Sequence, residues 1–428
     1  MAVMAAEKTS ATLKFKDRPW FASAPAISRD IIRRQKTATI IGAGIAGLSA
    51  AYALVQRGWK VSIIDKYGDV AKGTSENPAA IVYPRLSADN DTDTAFYVQA
   101  YAYSLYLLKK LQEKHAEKFW FDSGMLQRFD KKRIAKIVDR FGFNDDFISV
   151  LNKRAEQPEA GPDNVYAEYG NTGVVLPPVL AEVLKKECEG MIKIIHAEVE
   201  RIEHDETWRC YNAKGLIDCS DVLIIANGVS VNKLKLFQQP LQSFPVESIR
   251  GQMIELNKNR SSTIIRQAVN AEVYITPEID GKYFVGGSYS RDDNDTAINP
   301  DDNAALLESL AISYPDVFAE QDICGAWVGF RPMSKDRVPM VGAVPDEAFF
   351  EQQYADIRQG NMKNVYRPAR YHEGLYLSAA HGSRAFTSCL LSGEMIAASI
   401  EGEPAPVNKA IKDYLSPSRF IVNDLKRR

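Results

Sequence analysis

Four residues near the beginning of the chain have the types and spacing needed to bind a dinucleotide. Gly42, Gly44 and Gly47 form a G-x-G-x-x-G turn, and Asp65 follows the first glycine by 23 positions. The glycines allow a tight turn and let the backbone approach a pyrophosphate, and an acid at this distance can accept hydrogen bonds from ribose hydroxyls. The free N–H groups of the helix that begins at the turn favour phosphate binding. The pattern therefore predicts a dinucleotide site.

The elements that must position these residues are those of a βαβ unit. Residues 37–41 are mostly β-branched and lead directly into the turn, which predicts a buried strand. An Ala- and Leu-rich helix follows and should end near Gly58, and residues 60–64 predict a second strand that leads to Asp65. Because all these elements occur in order, a dinucleotide site is favoured over a purely structural βαβ unit.

Three later segments extend this domain. Residues 193–202 predict a strand whose end reaches toward an adenine, and residues 221–228 predict a buried strand that ends in a turn where backbone can approach a dinucleotide. Residues 374–387 predict a strand, a glycine turn and a helix start, whose N–H groups suit a ring oxygen that gains negative charge on reduction. His381 in this turn is expected to pack or form hydrogen bonds rather than act as a base.

A different pattern fills residues 240–330. Residues 251–256, 272–277 and 282–288 read as antiparallel strands, and a sheet of this kind within an α/β chain is typical of a substrate domain. The predicted fold class is α/β, with a Rossmann-like dinucleotide-binding domain and an inserted, mostly antiparallel α+β substrate domain. In the leader, residues 19–21 (Pro-Trp-Phe) are expected to dock on the body, since an exposed aromatic pair would be unfavourable.

The composition is that of an ordinary soluble globular protein, with 45% hydrophobic and 25% charged residues. No apolar run is long enough to span a membrane, and the five scattered cysteines indicate reduced thiols in the cytoplasm. Neither the cysteines nor the five histidines have metal-binding spacing, so no metal is expected. A net charge of −2 is not typical of nucleic-acid binding. Basic residues nevertheless cluster at 33–36, 109–110, 131–133 and 426–428, and solvated surfaces are their simpler interpretation.

Several motifs together resemble the amine- and amino-acid-oxidising flavoproteins, which include glycine oxidase, sarcosine oxidase and D-amino-acid oxidase. These motifs are the glycine turn with its acid, the small-residue segment 73–80, the Gly-Phe-Arg-Pro of residues 329–332 and the His-Gly-Ser-Arg of residues 381–384. The resemblance spans about residues 37 to 400 and implies an FAD-dependent oxidoreductase with a D-amino-acid oxidase-like fold. It also implies that Arg331 holds a substrate carboxylate, assisted by Tyr274.

Arginine suits this role because its planar fork binds a carboxylate through two hydrogen bonds. The alternative for Arg331 is a structural ion pair with Asp336 or another neighbour.

Further segments are similar to the FAD-dependent C-terminal half of the bifunctional tRNA 5-methylaminomethyl-2-thiouridine biosynthesis proteins. They are residues 19–22, 80–87, 287–297, 338–346 and 415–419. The resemblance implies oxidation of the carboxymethylaminomethyl group of a wobble uridine in tRNA, with loss of the carboxymethyl unit as glyoxylate to leave aminomethyl-(2-thio)uridine. It implies two partners, tRNA and an S-adenosylmethionine-dependent methyltransferase domain that is fused upstream or separate.

The predicted regions and site residues follow from these resemblances. The regions are a leader or interdomain linker (1–36), FAD-binding parts (37–95, 191–235 and 326–415), a mixed helical and substrate-domain segment (96–190), the substrate-domain sheet (236–325) and a basic C-terminal tail (416–428). The predicted catalytic residues are Arg331, Tyr274 and Tyr289. The predicted FAD-binding residues are Gly42, Ala43, Gly44, Ile45, Ala46, Gly47, Asp65, Lys66, Thr74, Ser75, Asn77, Ala80, Val199, Ala226, Asn227, Gly228, Gly382, Ser383, Arg384 and Ala385.

Three other functions remain open at this stage. An oxidase of a free small amine or amino acid would share Arg331 but would not need basic clusters. A non-catalytic FAD-binding assembly module would not be reduced by any glycine derivative. A nicotinamide-dependent dehydrogenase would also use Asp65, although the segment 381–384 favours a flavin.

Overall fold

The computed structural model describes residues 12–22, 36–151, 162–241 and 244–427. The α-helices of these residues are α1 (Ile45–Val55), α2 (Asp91–Lys114), α3 (Lys131–Phe141), α4 (Pro177–Glu187), α5 (Pro300–Ser313), α6 (Glu347–Gln353), α7 (Ala385–Glu401), α8 (Lys409–Leu415) and α9 (Ser418–Arg427). The strands of the same residues are β1 (Leu13–Lys14), β2 (Thr37–Ile41), β3 (Lys60–Asp65), β4 (Ala80–Val82), β5 (Trp120–Phe121), β6 (Met125–Asp130), β7 (Ser149–Val150), β8 (Asn164–Tyr169), β9 (Gly173–Val175), β10 (Ile192–His196), β11 (Arg201–His204), β12 (Trp208–Asn212), β13 (Gly215–Ser220), β14 (Val222–Ile225), β15 (Lys235–Leu236), β16 (Gln239–Pro240), β17 (Val246–Asn257), β18 (Ala268–Asn270), β19 (Tyr274–Ile275), β20 (Lys282–Gly286), β21 (Ser290–Arg291), β22 (Ile323–Ser334), β23 (Met340–Pro345), β24 (Val365–Tyr366) and β25 (Tyr371–Ala379).

A six-stranded sheet holds the predicted dinucleotide-binding elements, in the order β10-β3-β2-β14-β25-β23. All neighbouring strands are parallel except β23, which runs antiparallel to β25. The predicted βαβ unit is β2, α1 and β3, and the apolar run of β14 is fully buried, as expected for a central parallel strand. This arrangement brings the carboxyl ends of β2, β3 and β14 to one edge of the sheet, where α/β proteins bind nucleotides.

Helices from distant parts of the chain pack together against this sheet. Gly393 of α7 lies so close to α1 that an added Cβ would be 2.5 Å from the Ser49 carbonyl oxygen. In α2, the Ser104 hydroxyl donates a hydrogen bond to the Thr387 carbonyl at 2.8 Å. These contacts join α7 to both α1 and α2.

A larger sheet contains the predicted antiparallel segments. Its strands are β21, β17, β20, β19, β18, β6, β8 and β7 in this order, with β22 also paired to β17, and only β18 and β6 are parallel neighbours. One predicted boundary differs from the structure. We expected the sheet to end at residue 325, but β22 pairs with β17 from Ile323 through Ser334, so the sheet continues into the Gly-Phe-Arg-Pro segment. The reason is the β17–β22 ladder, which extends to Ser334 with one register shift, between Glu255 and Leu256.

The leader docks on the body, as predicted from its aromatic pair. Trp20 is 2% exposed, and its ring lies edge-on to Tyr354 and Tyr366 with centroid distances of 6.2 and 6.4 Å. Nearby, β1 pairs with β24. The leader residues 12–22 are therefore part of the packed structure.

The segment predicted as a basic tail is instead the packed helix α9. Its buried residues include Phe420, Ile421, Val422 and Leu425, whose helical spacing gives it an apolar face. Lys426 Nζ lies 5.2 Å from the centroid of the Trp20 ring, and burial lowers the pKa of this lysine. Arg428 lies outside the described residues.

Candidate active site

A cavity of about 670 Å³ is lined by residues of both large sheets. This volume is typical of cofactor and small-molecule sites. The structure brings twenty of the predicted site residues together on its wall: Gly42, Gly44, Ile45, Ala46, Asp65, Lys66, Thr74, Ser75, Asn77, Ala80, Val199, Ala226, Asn227, Gly228, Tyr274, Tyr289, Arg331, Gly382, Ser383 and Ala385. Ala43, Gly47 and Arg384 are not on this wall.

The glycine turn has room only for backbone. Gly42 has a φ of +108°, and an added Cβ would lie 2.5 Å from the Ala226 carbonyl oxygen. Gly47 lies against the Gly42 carbonyl, which explains why it is needed although it does not face the cavity. At the beginning of α1, the Ile45 N–H donates a hydrogen bond to the Ser75 hydroxyl at 2.9 Å. Because Gly42 and Gly44 line the cavity and have no side chains, the turn presents bare backbone at the helix N-terminus, which we call the glycine cradle.

Asp65 is the last residue of β3 and lines the cavity, where its carboxylate can accept hydrogen bonds from sugar hydroxyls. Its Oδ2 accepts a hydrogen bond from the Ala43 N–H at 2.9 Å, and its Oδ1 accepts one from the Tyr67 N–H at 2.8 Å. A carboxylate has about four acceptor positions, so capacity remains for a ligand. Across the wall, Asn227 Oδ1 is buried and has no hydrogen-bond partner among the described residues. The glycine cradle, the carboxylate and this orphaned acceptor fit a dinucleotide that carries hydroxyl and amino donors.

The closing segment places a glycine turn at the start of α7. Gly382 has a φ of +58°, and Ser383 and Ala385 line the cavity. Arg384 does not line the cavity, and its guanidinium lies 4.8 Å from the centroid of the ring of Tyr83, which does line it. Gly382, Ser383 and Ala385, rather than Arg384, line the cavity in this turn.

His381 precedes this turn and is held by two serines. Its Nδ1 lies 2.8 Å from Ser388 Oγ and its Nε2 lies 3.1 Å from Ser378 Oγ. The Ser388 hydroxyl already donates to the Arg384 carbonyl, so it accepts from Nδ1–H, and Nε2 accepts from the Ser378 hydroxyl. Burial lowers the pKa of His381 to about 3. The neutral ring therefore acts as a hydrogen-bonding bridge, as the sequence suggested.

Arg331 occupies the substrate-domain side of the cavity. Its guanidinium lies against Gly251 and Gly287, where a side chain on either residue would collide with it. Its Nη1 donates a hydrogen bond to the Ser288 carbonyl at 2.9 Å, and desolvation lowers the pKa of the group. No ion pair joins Arg331 to an acid among the residues that the structure describes. A desolvated cation without a protein counter-charge is an anion-binding group.

The alternative role of Arg331, an ion pair with Asp336, is wrong. Asp336 is paired with Arg419 instead, through contacts of 2.8 and 3.0 Å. These hydrogen bonds, together with others, hold the pKa of Asp336 below its ordinary value despite burial.

Tyr274 lies beside Arg331, and Tyr289 lies at the rim. The Tyr274 hydroxyl lies 3.3 Å from the Ala79 carbonyl oxygen and 3.0 Å from Met253 Sδ, and either atom can accept its one hydrogen bond. Burial raises the pKa of Tyr274 above its usual range, although Arg331 acts in the opposite direction, so the phenol keeps its proton. Tyr289 is 49% exposed, and its hydroxyl is 3.6 Å from Met333 Sδ. One phenol is thus fixed at the anion site and the other faces the entrance.

Sequence reasoning missed several residues of this wall. Trp327 and Phe330 flank Gly329 on β22, and the Thr74 hydroxyl donates to the Phe330 carbonyl at 2.6 Å. Gly286 gives Tyr274 its space, because an added Cβ would lie 3.0 Å from the phenol oxygen. The adjacent glycines Gly286 and Gly287 were the available signal in the sequence. The side chains that need this space, Tyr274 and Arg331, lie on other strands, so the sequence alone does not connect them.

The basic clusters are largely engaged within the protein. Lys36 Nζ lies 2.7 Å from Glu401, and Lys109 Nζ lies 2.8 Å from Asp122. Lys131 Nζ donates to the Pro162 carbonyl, whereas Lys132 is exposed. Residues 33–35 lie outside the described part of the chain.

Within the described ranges, no group of three or more His, Cys, Asp or Glu side chains could hold a metal ion. No helix in those ranges is both long and apolar enough to cross a membrane.

Curated relatives match almost the whole chain. The tRNA 5-methylaminomethyl-2-thiouridine biosynthesis bifunctional protein MnmC of Stutzerimonas stutzeri (strain A1501) is 29% identical over 430 residues, and the protein of the same name from Leptospira interrogans is 30% identical over 424 residues. These alignments cover 98% and 96% of this chain but 63% and 64% of the relatives. The chain therefore spans less than two thirds of the length of the curated relatives it matches.

Solved structures confirm the predicted fold. Glycine oxidase from Geobacillus kaustophilus superposes with a TM-score of 0.69 at 18% identity, covering 89% of this chain and 97% of that one. Glycine oxidase from Bacillus cereus ATCC 14579 gives 0.67 at 20% identity, covering 86% and 95%. The family model described as FAD dependent oxidoreductase (DAO) matches residues 37–399, which supports FAD over a nicotinamide as the cofactor of this enzyme. The chain belongs to the DAO family of FAD-dependent oxidoreductases.

Proposed function

We propose that the enzyme oxidises the carboxymethylaminomethyl group of a wobble uridine in tRNA, removes the carboxymethyl unit as glyoxylate and leaves aminomethyl-(2-thio)uridine. The observation that carries the proposal is Arg331, a desolvated cation on the cavity wall without an acidic partner in the described chain. The printed name of the curated relatives supports tRNA as the substrate.

The group to be oxidised is chemically a glycine attached through its nitrogen, so its one negative charge is a carboxylate. Arg331 would bind this carboxylate through its planar fork. The protonated Tyr274 hydroxyl beside it would turn from its protein acceptors to donate a further hydrogen bond to the carboxylate. Tyr289 at the rim would contact the part of the nucleotide that remains outside the cavity. These contacts would fix the CH2 group in one orientation, and positioning of this kind can supply much of the rate.

A flavin bound here would supply the acceptor for the hydride of the glycine CH2 group, and the substrate would become an imine that water would hydrolyse to glyoxylate and the free amine. The residues proposed to hold FAD are those of the glycine turn and the loop after β3 for the phosphates and ribose, residues near Val199 and Asn227 for the adenosine half, and the turn at 382–385 for the ring. The neutral His381 would hold that turn and take no proton from the substrate.

Two partners are part of the proposal. The first is tRNA, whose phosphates would be bound by basic residues around the entrance, with residues 131–133 and Arg427 as candidates. Lys426 is a weaker candidate than the sequence suggested, because it covers Trp20. The second is an S-adenosylmethionine-dependent methyltransferase domain, fused upstream or separate, in keeping with the word bifunctional in the relatives' name. Acting on tRNA would place the enzyme in the cytoplasm.

The test is anaerobic bleaching of the flavin absorbance. The purified protein with FAD is mixed with tRNA that bears carboxymethylaminomethyluridine, with the same tRNA bearing aminomethyluridine, with glycine and with sarcosine. Only the first should reduce the flavin, and Arg331→Met should abolish the reduction while FAD remains bound. Arg209→Met is the matched control, because it removes the same charge from β12, and neither Arg209 nor its partner Asp205 lines the cavity.

Each other outcome points elsewhere. Reduction by glycine or sarcosine would indicate an oxidase of free small amines. Absence of reduction by every compound would indicate a protein that binds FAD for assembly. Equal loss of activity in Arg331→Met and Arg209→Met would contradict a specific carboxylate site.

A further inference from the structure

A buried arginine lies behind the substrate side of the cavity and does not touch it. Arg250 of β17 is 1% exposed. Its Nη1 lies 2.5 Å from an Asp302 carboxylate oxygen, its Nε donates to the Asp295 carbonyl at 2.8 Å, and its Nη2 donates to the Ala297 carbonyl at 2.7 Å. A guanidinium that fixes two backbone carbonyls of one loop determines where that loop runs.

Gln252, two positions along the same face of β17, repeats this pattern. Its Nε2 donates to the Asn299 carbonyl at 2.8 Å and to Asn303 Oδ1 at 2.7 Å, and its Oε1 accepts the Asn299 N–H at 2.9 Å. Arg250 Nη2 also donates to Gln252 Oε1 at 3.1 Å. Together, Arg250 and Gln252 form what we call the strand clamp, which binds residues 295–299 and the beginning of α5.

The strand clamp also holds the other end of the loop, at Ser288. The Gln252 N–H donates to Ser288 Oγ at 2.9 Å, the Ser288 N–H donates to the Gln252 carbonyl at 3.0 Å, and Ser288 Oγ lies 3.2 Å from the Asp302 carboxylate. The Ser288 carbonyl in turn accepts the hydrogen bond from Arg331 Nη1 at 2.9 Å. One chain of hydrogen bonds therefore runs from Arg250 to Arg331.

Both ends of the segment 288–299 are thus fixed to β17, and between them lie two residues of the cavity wall, Tyr289 and Thr296. Burial of a charged arginine is costly and stabilises a structure only when its partners are well placed. Every carbonyl contact that satisfies Arg250 comes from this one segment. We propose that Arg250 is a positioning residue that sets the segment 288–299, and through Ser288 the orientation of Arg331, for substrate binding. The link to a substrate carboxylate rests on the proposed function.

The test uses Arg250→Lys, which keeps the charge beside Asp302 but loses the fork that holds the carbonyls. Arg419→Lys is the matched control. Arg419 is 6% exposed and also binds one acid, Asp336, and several carbonyls, but neither it nor these partners line the cavity. Both variants should lose stability, so a loss of stability common to the two is not informative.

Two readouts separate positioning from simple destabilisation. In hydrogen exchange of the FAD-loaded protein, Arg250→Lys should increase exchange across residues 288–299, and Arg419→Lys should not. In flavin reduction by tRNA with carboxymethylaminomethyluridine, Arg250→Lys should raise the half-saturating tRNA concentration about tenfold, with FAD content unchanged. Arg419→Lys should leave that concentration within about twofold of wild type.

Unchanged exchange in residues 288–299 of Arg250→Lys would overturn the proposal, and so would an equal shift in half-saturation for the two variants. If tRNA does not reduce the wild-type flavin, the proposed function fails, and the exchange data alone still decide whether Arg250 positions the segment.

Discussion

Gly251→Ala tests the proposed carboxylate site at Arg331 most directly. The substitution adds one methyl group and removes no side-chain contact, because glycine has no side chain. An added Cβ at Gly251 would lie 2.5 Å from Arg331 Nη2 and closer to Cζ and Nη1. Since carbon and nitrogen atoms in contact are normally about 3.5 Å apart, the guanidinium must move by roughly 1 Å or more. The residues proposed to hold FAD lie on other elements than β17, so FAD binding should be unchanged.

The magnitude follows from this displacement. A misplacement of about 1 Å can cost about 100-fold in rate, which corresponds to about 2.7 kcal/mol of transition-state stabilisation. A bidentate carboxylate contact that loses one of its two charge-assisted hydrogen bonds would cost about 1.5–3 kcal/mol, which is the same order. We therefore expect kcat/KM for the tRNA substrate to fall about 100-fold.

The assay is stopped-flow reduction of bound FAD over a range of tRNA concentrations. Gly325→Ala is the matched control, because Gly325 lies on the same β17–β22 ladder opposite Glu255. An added Cβ there would lie 3.0 Å from Glu255 Cδ, the end of a flexible side chain that can move. A kcat/KM for Gly251→Ala within about threefold of wild type, with FAD bound, would refute the assignment of Arg331 to the substrate carboxylate.

Two further predictions concern stability. Trp20→Ala should lower the free energy of unfolding by about 3–5 kcal/mol, because it leaves a cavity where a buried aromatic ring was. Chemical denaturation should then show a lower midpoint. An unchanged midpoint would mean that docking of the leader contributes nothing to stability. His381 has a folded-state pKa of about 3 against about 6.5 when unfolded, so its protonation favours unfolding. Its contribution is complete above about pH 6.5 and is lost as the pH falls toward 3. Unfolding midpoints measured from pH 7 to 5 should therefore fall more steeply for wild type than for His381→Asn, and parallel curves would contradict the burial of a neutral ring.

Local patterns were sufficient to predict the dinucleotide-binding half of the site. The glycine turn, its helix and Asp65 are close in sequence, and their order is itself the signal. Resemblance then supplied Arg331 and Tyr274, which the structure brings together. The prediction that Trp20 docks also held, because a large apolar ring has few other stable positions.

Long-range pairing explains what the sequence did not predict. The sheet boundary at 325 was wrong because the partner of β22 is β17, more than sixty residues earlier, and no local feature of residues 326–334 reveals it. The helix α9 was interpreted as a tail because its charged residues dominate its composition, while its apolar face becomes meaningful only against its packing partners. The strand clamp was invisible for the same reason, since Arg250 and the carbonyls that it binds are about 45 residues apart.

The order of strands in the parallel sheet also governs how the protein can fold during synthesis. β14 lies between β2 and β25, yet β25 begins only at Tyr371. A ribosome translating this chain therefore produces β2, β3 and β14 long before the strand that covers the open edge of β14, whose four residues are all buried in the finished protein. Nascent chains that stop before Tyr371 would expose an apolar strand edge, and such edges promote aggregation. Premature termination between the end of β14 and Tyr371 should thus yield insoluble rather than partially active protein.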